Sequence, residues 1–160
     1  MQITQAYRDC FAAFLAAAKL DVVDPRITPE EFPNESFEDL NNGLRIVQPS
    51  ARWFSRNGDR LSAEQIEKWF ASEEARPFAR CPGTLAHGLY ICANDSLEFR
   101  FNEWHTLLAF GSRSVTGGLM PTFCHRTDGR ALELFISYDR NEPIDSGFAI
   151  IVHQDPARSR

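Results

Sequence analysis

Hydrophobic residues alternate with polar or small ones through the middle of the chain, most clearly over residues 85–110. Because successive side chains of a strand point to opposite faces, this period of two predicts strands. Two long strands joined by the turn Asn94-Asp95-Ser96 fit the segment. Counting back from that turn gives three cross-strand pairs: Ile91 with Phe99, Leu89 with Phe101, and His87 with Glu103.

Upstream of this segment the hydrophobic period is helical, and the sequence predicts helices over residues 4–20, 36–42 and 62–75. In the first, Phe11 and Phe14 lie on the apolar stripe that faces the core. The third begins with Ser62-Ala63-Glu64-Gln65, the pattern of a capping box, and buries Trp69 and Phe70.

Downstream, the period of two continues to the end of the chain. Residues 119–126 and 130–139 flank Asp128-Gly129, a strong signal for a tight hairpin, in which Phe123 pairs with Leu134. A last strand is predicted over residues 147–153.

This order of elements predicts the fold class. Helices that precede a curved antiparallel sheet must cover one of its faces. We therefore expect an α+β fold, with two to three N-terminal helices packed on one face of a curved, cone-like antiparallel sheet of five to six strands. Residues 1–154 form the single domain, and residues 155–160 form a frayed C-terminal tail.

Composition and charge narrow the function classes. The net charge of −5 and the scattered Lys and Arg residues argue against nucleic-acid binding. The apolar run from Phe11 to Ala18 is too short to span a bilayer and lacks the flanks of a secretory signal, so we expect no membrane partner and a cytoplasmic protein. The four cysteines lack the spacing of a zinc site or a disulfide framework, and no cofactor is predicted.

The predicted pairing of His87 with Glu103 places an imidazole and a carboxylate on an apolar sheet face, with His105 one pleat away. Such a pair can abstract and return a proton beside a carbonyl, with Glu103 as the base and His87 as its orienting or protonating partner. Apolar side chains from the sheet and the helices are expected to contact the ligand: Leu89, Phe99, Phe101, Phe14 and Trp69.

Three other interpretations of these residues stay open. His87 and Glu103 also fit a purely structural hydrogen-bonded pair, and with His105 they have the ligand types of a metal triad, although no metal is predicted. The segment His87-Gly88-Leu89-Tyr90 resembles the histidine strand of papain-like cysteine hydrolases such as the NlpC family, which implies Cys10 as the nucleophile.

A broader resemblance covers Tyr7 to Tyr138 in the order of elements. The run from Ile46-Val47-Gln48-Pro49 to Asn57-Gly58-Asp59-Arg60-Leu61-Ser62 resembles the strand, glycine turn and capped helix of the SnoaL-like, nuclear transport factor two-like cone-fold proteins. That resemblance implies a pocket between helices and sheet, frequent homodimers, and either cofactor-free chemistry or simple ligand binding. It leads us to expect a protein that binds a small apolar or carbonyl-containing ligand, with isomerase- or cyclase-like acid/base chemistry as an open question.

The alternative is a non-enzymatic module that binds another protein, as an immunity protein or an inhibitor does. A half-open sheet would leave Trp104, Leu108 and Phe110 facing outward, which favours a homodimer that hides this apolar surface.

Overall fold

The computed structural model describes residues 2–57, 60–61, 63–77, 81–94, 106–135, 142–143 and 148–154. Its helices are α1 (Gln5–Ala17), α2 (Ala51–Asn57), α3 (Ala63–Phe70) and α4 (Leu85–Ala93). Its strands are β1 (Val22–Val23), β2 (Arg45–Val47), β3 (Arg60–Leu61), β4 (Cys81–Pro82), β5 (Thr106–Leu108), β6 (Met120–Arg126), β7 (Gly129–Phe135), β8 (Glu142–Pro143) and β9 (Phe148–His153). Within the described residues no helix is long and apolar enough to cross a membrane.

Seven of the described strands form one sheet in the order β1-β7-β6-β5-β9-β2, with β4 pairing beside β9. Strands β3 and β8 form a separate two-stranded sheet. Most neighbours are antiparallel, but β1 runs parallel to β7 and β5 runs parallel to β9. The α+β class is confirmed, whereas the expectation of a purely antiparallel sheet is wrong.

The sheet has helices on both faces, so the prediction that all helices cover one face is wrong. Along β9, Ala149 and Ile151 join one hydrophobic cluster, while Phe148, Ile150 and Val152 join another. Successive strand residues face opposite ways, which places the two clusters on opposite faces of the sheet. Helices α1 and α4 contribute to the first cluster, and α3 contributes Ile66 and Trp69 to the second.

Helix α1 forms as the sequence predicts. Thr4 is its N-cap and accepts a hydrogen bond from the amide of Tyr7 at 3.1 Å, and Phe11 is the buried centre of its inner face. The helix predicted over residues 36–42 is wrong, because the segment turns at Asp39, whose φ of 53° is left-handed and ends any helical run.

The largest correction concerns residues 85–93, which form helix α4 and not a strand. Most of this helix is buried, so it carries no polar stripe, and its apolar run cannot be told from a buried strand by periodicity. The cross-strand pairs that placed Ile91, Leu89 and His87 opposite residues 99, 101 and 103 are therefore wrong. Residues 95–105, which hold the partners, lie outside the described residues.

The hairpin of β6 and β7 forms at the predicted place but in another register. Phe123 pairs with Leu132, not with Leu134, because the two turn residues are Thr127 and Asp128 and the strand resumes at Gly129. A shift of two residues leaves every side chain on its predicted face, since the side-chain period of a strand is two. Leu132 and Leu134 therefore both pack in the first cluster with Phe123.

Helix α4 lies directly on β6 at Gly88, and this contact gives the first prediction. A Cβ added at Gly88 would lie 2.0 Å from Cε2 of the buried Phe123 ring. Gly-to-Ala changes inside helices ordinarily stabilise by about 1 kcal/mol. Here Gly88→Ala is expected to destabilise by about 1–3 kcal/mol through overpacking.

The measurement is the free energy of unfolding in urea. The matched control is the same substitution in a Phe123→Leu background, where the smaller side chain gives way and Gly88→Ala should cost less. An equal cost in both backgrounds would show that the Gly88–Phe123 contact does not set the helix position.

Candidate functional site

The structure separates the predicted site residues. Leu89 of α4 and Phe14 of α1 belong to the cluster on one face of the sheet, while Trp69 of α3 belongs to the cluster on the other face. His87 lies near the start of α4 and is buried. Four members of the predicted site, Glu103, His105, Phe99 and Phe101, lie outside the described residues, and their roles stay predictions.

His87 stands beside a junction in the sheet. Val152 of β9 pairs with Arg45 of β2 and with Pro82 of β4, so β4 lies on the side of β9 that β5 occupies. Because β5 is parallel and β4 antiparallel to β9, their C-terminal ends meet head to head. The two chains touch at glycines, where the amide of Gly111 donates to the carbonyl of Gly83 at 2.8 Å. Helix α4 starts directly after this junction.

The first four amides of a helix have no partner inside it, and a buried helix start must supply acceptors. In α4 all four are satisfied. Acceptors close in sequence serve two of them, since the amide of Thr84, the N-cap, donates to Nδ1 of His87 and the amide of His87 donates to Thr84 Oγ1. Acceptors distant in sequence serve the other two: Ser112 Oγ lies 2.8 Å from the amide of Leu85, and Glu35 Oε2 lies 3.3 Å from that of Ala86.

The imidazole of His87 completes a capping box at this helix start. Its Nδ1 accepts a hydrogen bond from the amide of Thr84 at 3.1 Å and lies 2.8 Å from the Thr84 hydroxyl. The neutral ring therefore carries its proton on Nε2. The ring stacks on His153, with centroids 4.2 Å apart. Burial, and then the neighbouring His153, lower the pKa of His87 from 6.5 to about 3. His87 is thus a neutral acceptor at neutral pH and a poor proton donor.

Glu35 is the carboxyl group of this cluster. Burial raises its pKa, while hydrogen bonds from Ser112, the Ala86 amide and Thr84 pull the pKa back. The Ser112 hydroxyl donates to Oε1, and the backbone amide of Glu35 donates to the hydroxyl of Tyr7 at 3.0 Å. Both carboxylate oxygens therefore accept hydrogen bonds at the start of α4, which assigns Glu35 to capping that helix from a distance.

Trp69 occupies a second buried polar cluster, on the opposite face of the sheet. Its indole Nε1 donates to Glu74 at 2.7 Å, and the same carboxylate accepts from the amide and the hydroxyl of Ser50. Trp69 has no exposed surface. These contacts join α3 to the segment before α2. Trp69 is therefore a core residue.

A cavity of about 590 Å³ lies at the other end of α4, between that helix, α1 and the turn at residues 37–41. We call it the α1–α4 cleft. Its lining residues are Ala13, Phe14, Ala17, Phe37, Asp39, Leu40, Asn41, Tyr90, Ala93 and Asn94. Among the described residues that line it, Phe14 is the one predicted ligand contact. Aromatic rings and alanines form its walls, and polar side chains come from the turn and from Asn94.

Sequence reasoning missed most of this arrangement. Thr84 following Pro82-Gly83 and preceding an apolar run was a local signal for a helix N-cap, and it was available. No sequence pattern around Glu35 or Ser112 indicates that they cap α4, because both residues are far from this helix in sequence and reach it only in the folded chain. Phe37, Asp39 and Tyr90 line one cavity from two distant segments, and no motif joins them.

Comparisons with known proteins add no relative. No family model matches the chain, and neither a curated protein nor a solved structure matches it. The resemblance to the SnoaL-like cone-fold proteins therefore stays a prediction. Across the part of the chain that the structure describes, no three His, Cys, Asp or Glu side chains are grouped to hold a metal ion.

The pKa of His87 predicts how stability depends on pH. The folded state keeps the ring neutral down to about pH 3, whereas the unfolded chain takes up the proton near pH 6.5. The stability that the neutral His87 ring contributes is therefore fully present above pH 6.5 and is lost as the pH falls from 6.5 toward 3. Between pH 7 and pH 5 this one group should remove about 2 kcal/mol of unfolding free energy.

His87→Gln tests this assignment, because Gln is the ordinary partner in a capping box and does not titrate. The variant should keep most of the stability at pH 7 and lose about 2 kcal/mol less than the parent between pH 7 and pH 5. Urea unfolding at both values measures it, with His125→Gln at an exposed histidine as the control. An unchanged pH dependence in His87→Gln would assign the effect to other groups.

Proposed function

We propose that this protein binds a small, mostly apolar molecule in the α1–α4 cleft. The observation that carries the proposal is the cavity itself, whose volume of about 590 Å³ falls in the range of small-molecule sites. Like such sites, it combines apolar and aromatic walls with a few polar side chains.

The packing behind the cleft supports a site formed before any ligand arrives. The ring of Phe37 lies 4.7 Å from that of Phe14, centroid to centroid, and also contacts Phe11 and Tyr7. The Tyr7 hydroxyl donates to the carbonyl of Phe32 and accepts from the amide of Glu35. Hydrogen bonds on both sides of Tyr7 therefore hold the segment that carries Phe37 against α1, and binding needs little reordering.

Small side chains on the two helices leave the space open. Ala13 and Ala17 lie one turn apart on α1, and Ala93 is the last residue of α4. A larger side chain at any of these positions would project into the cleft. The chain therefore offers a direct way to fill the cavity without changing the core.

Catalysis is a separate question from binding. His87 does not line the cleft, and it lies six residues from Ala93, roughly 9 Å along the axis of α4. The isomerase- or cyclase-like chemistry predicted for Glu103, His87 and His105 is therefore not needed by the binding proposal and stays a prediction. We place the protein in the cytoplasm, and its four free cysteines are compatible with that location.

The protein-binding alternative and the homodimer also stay predictions, although two residues of the apolar surface expected to face outward are buried in the structure. Leu108 and Phe110 were expected to face outward, but both are buried against α3 in the second cluster. Trp104 lies outside the described residues. Within the described part of the chain, the large hydrophobic residues that are exposed are Val22 and Val115.

Filling the cleft tests the proposal. The neutral fluorophore N-phenyl-1-naphthylamine, which brightens in apolar surroundings, should bind the parent protein saturably. Ala13→Trp should weaken that binding at least about tenfold, because the indole occupies the apolar volume that the probe needs. A fluorescence titration gives both affinities.

Ala12→Trp is the matched control, since Ala12 is also exposed on α1 but does not line the cleft. It should leave probe binding unchanged, and thermal unfolding should show that both variants are folded. No saturable binding by the parent protein, or an equal loss in Ala12→Trp and Ala13→Trp, would overturn the proposal.

A further inference from the structure

We infer that the molecule bound in the α1–α4 cleft carries a protonated amine, which the carboxylate of Asp39 holds while the apolar body lies among the aromatic rings. This inference rests on the proposed function. It adds the charge and the chemical class of the ligand, an aromatic or alicyclic ammonium compound.

Among the described residues that line the cleft, Asp39 is the one with a charged side chain. Within the described residues its carboxylate has no ion pair and no hydrogen bond. Its φ of 53° is left-handed, a conformation uncommon outside glycine, and its carbonyl accepts a hydrogen bond from the amide of Asn42 at 3.1 Å. The turn thus holds a carboxylate at the cleft with no described cation to neutralise it.

The helix ends make the same region electronegative. Ala17 is the last residue of α1, and Ala93 is the last residue of α4, and both line the cleft. A helix C-terminus carries partial negative charge, and neither helix has a basic residue in its last turn.

Two cations lie near these helix ends without lining the cleft. Arg130 donates to the carbonyl of Cys92 at 3.2 Å and so offsets part of the charge at the end of α4. Lys19 follows α1 and is exposed. The end of α1 and Asp39 therefore both contribute negative potential to the cleft.

The rings add a second reason to favour a cation. Phe14, Phe37 and Tyr90 line the cavity, and the face of an aromatic ring attracts an ammonium group. A carboxylate or phosphate ligand would meet Asp39 and the end of α1, both of which repel an anion. Asn41 and Asn94 supply neutral polar groups that fit either charge, so they do not decide.

A matched pair of probes tests the inference. 1-Naphthylmethylamine, which is protonated at pH 7, and the neutral 1-naphthalenemethanol have the same ring and nearly the same shape. The amine should bind the parent protein about two- to fivefold more tightly, as expected for an ion pair near the surface. Asp39→Asn keeps the side-chain shape and the tolerance for a left-handed backbone, so it should remove that preference and leave the alcohol unchanged.

Glu38→Gln is the matched control, because it removes the same charge one residue away, from an exposed side chain that does not line the cleft. It should keep the preference for the amine. Equal affinities of amine and alcohol for the parent protein would overturn the inference and leave the proposed function intact. An equal loss in Glu38→Gln and Asp39→Asn would overturn Asp39 as the anchor. Failure of both probes to bind a folded protein would instead count against the proposed function.

Discussion

The buried start of α4 is the constraint on which the arrangement of the chain depends. Its amides must be satisfied without water, and two of the four acceptors come from Glu35 and Ser112, which are far from the helix in sequence. Glu35 fixes the segment after α1, and Ser112 fixes the loop that leaves β5. One helix end therefore joins the N-terminal segment, the sheet and the junction of β4 with β5. Losing either acceptor would leave a buried donor unsatisfied, at a cost of about 1–3 kcal/mol.

Burial of this helix start lowers the pKa of His87 and raises the pKa of Glu35. The two shifts make the stability depend on pH in opposite directions. His87 has a lowered pKa, so its contribution is lost as the pH falls below its unfolded value. Glu35 has a raised pKa, so the stability it contributes is present at low pH and is lost as the pH rises through its folded value. The ionised Glu35 must then be held by its donors, chiefly Ser112. The two groups therefore change the stability in opposite directions as the pH changes, and their effects partly cancel where the two titrations overlap.

Local patterns decided which parts of the fold could be predicted. Helix α1, the place of the β6–β7 hairpin and the last strand were all predicted, because an apolar stripe, a turn dipeptide or an alternation indicates each of them locally. Helix α4 was not, because its burial on all sides removed the polar stripe that distinguishes a helix, and its four apolar residues at even spacing imitate a strand. The predicted site failed with it, since the pairing of His87 with Glu103 assumed that strand. Helices on both faces were not predicted either, because the order of elements alone does not say which helix covers which face of the sheet.

The α1–α4 cleft shows why a binding site can leave so little trace in a sequence. Its walls come from residues 13–17, 37–41 and 90–94, which only the docking of α4 brings together. Much of the space exists because Ala13, Ala17 and Ala93 are small, and alanine carries no chemical signature. Phe14 was predicted as a ligand contact from its place on the apolar stripe of α1. It lines the cleft because it lies at the margin of that stripe, with one side packed on Phe37 and the other side open to the cavity. The same helix–helix contact that buries Phe11 therefore leaves the cleft beside it, and the shape of the cleft depends on how Glu35 and Tyr7 hold the intervening turn.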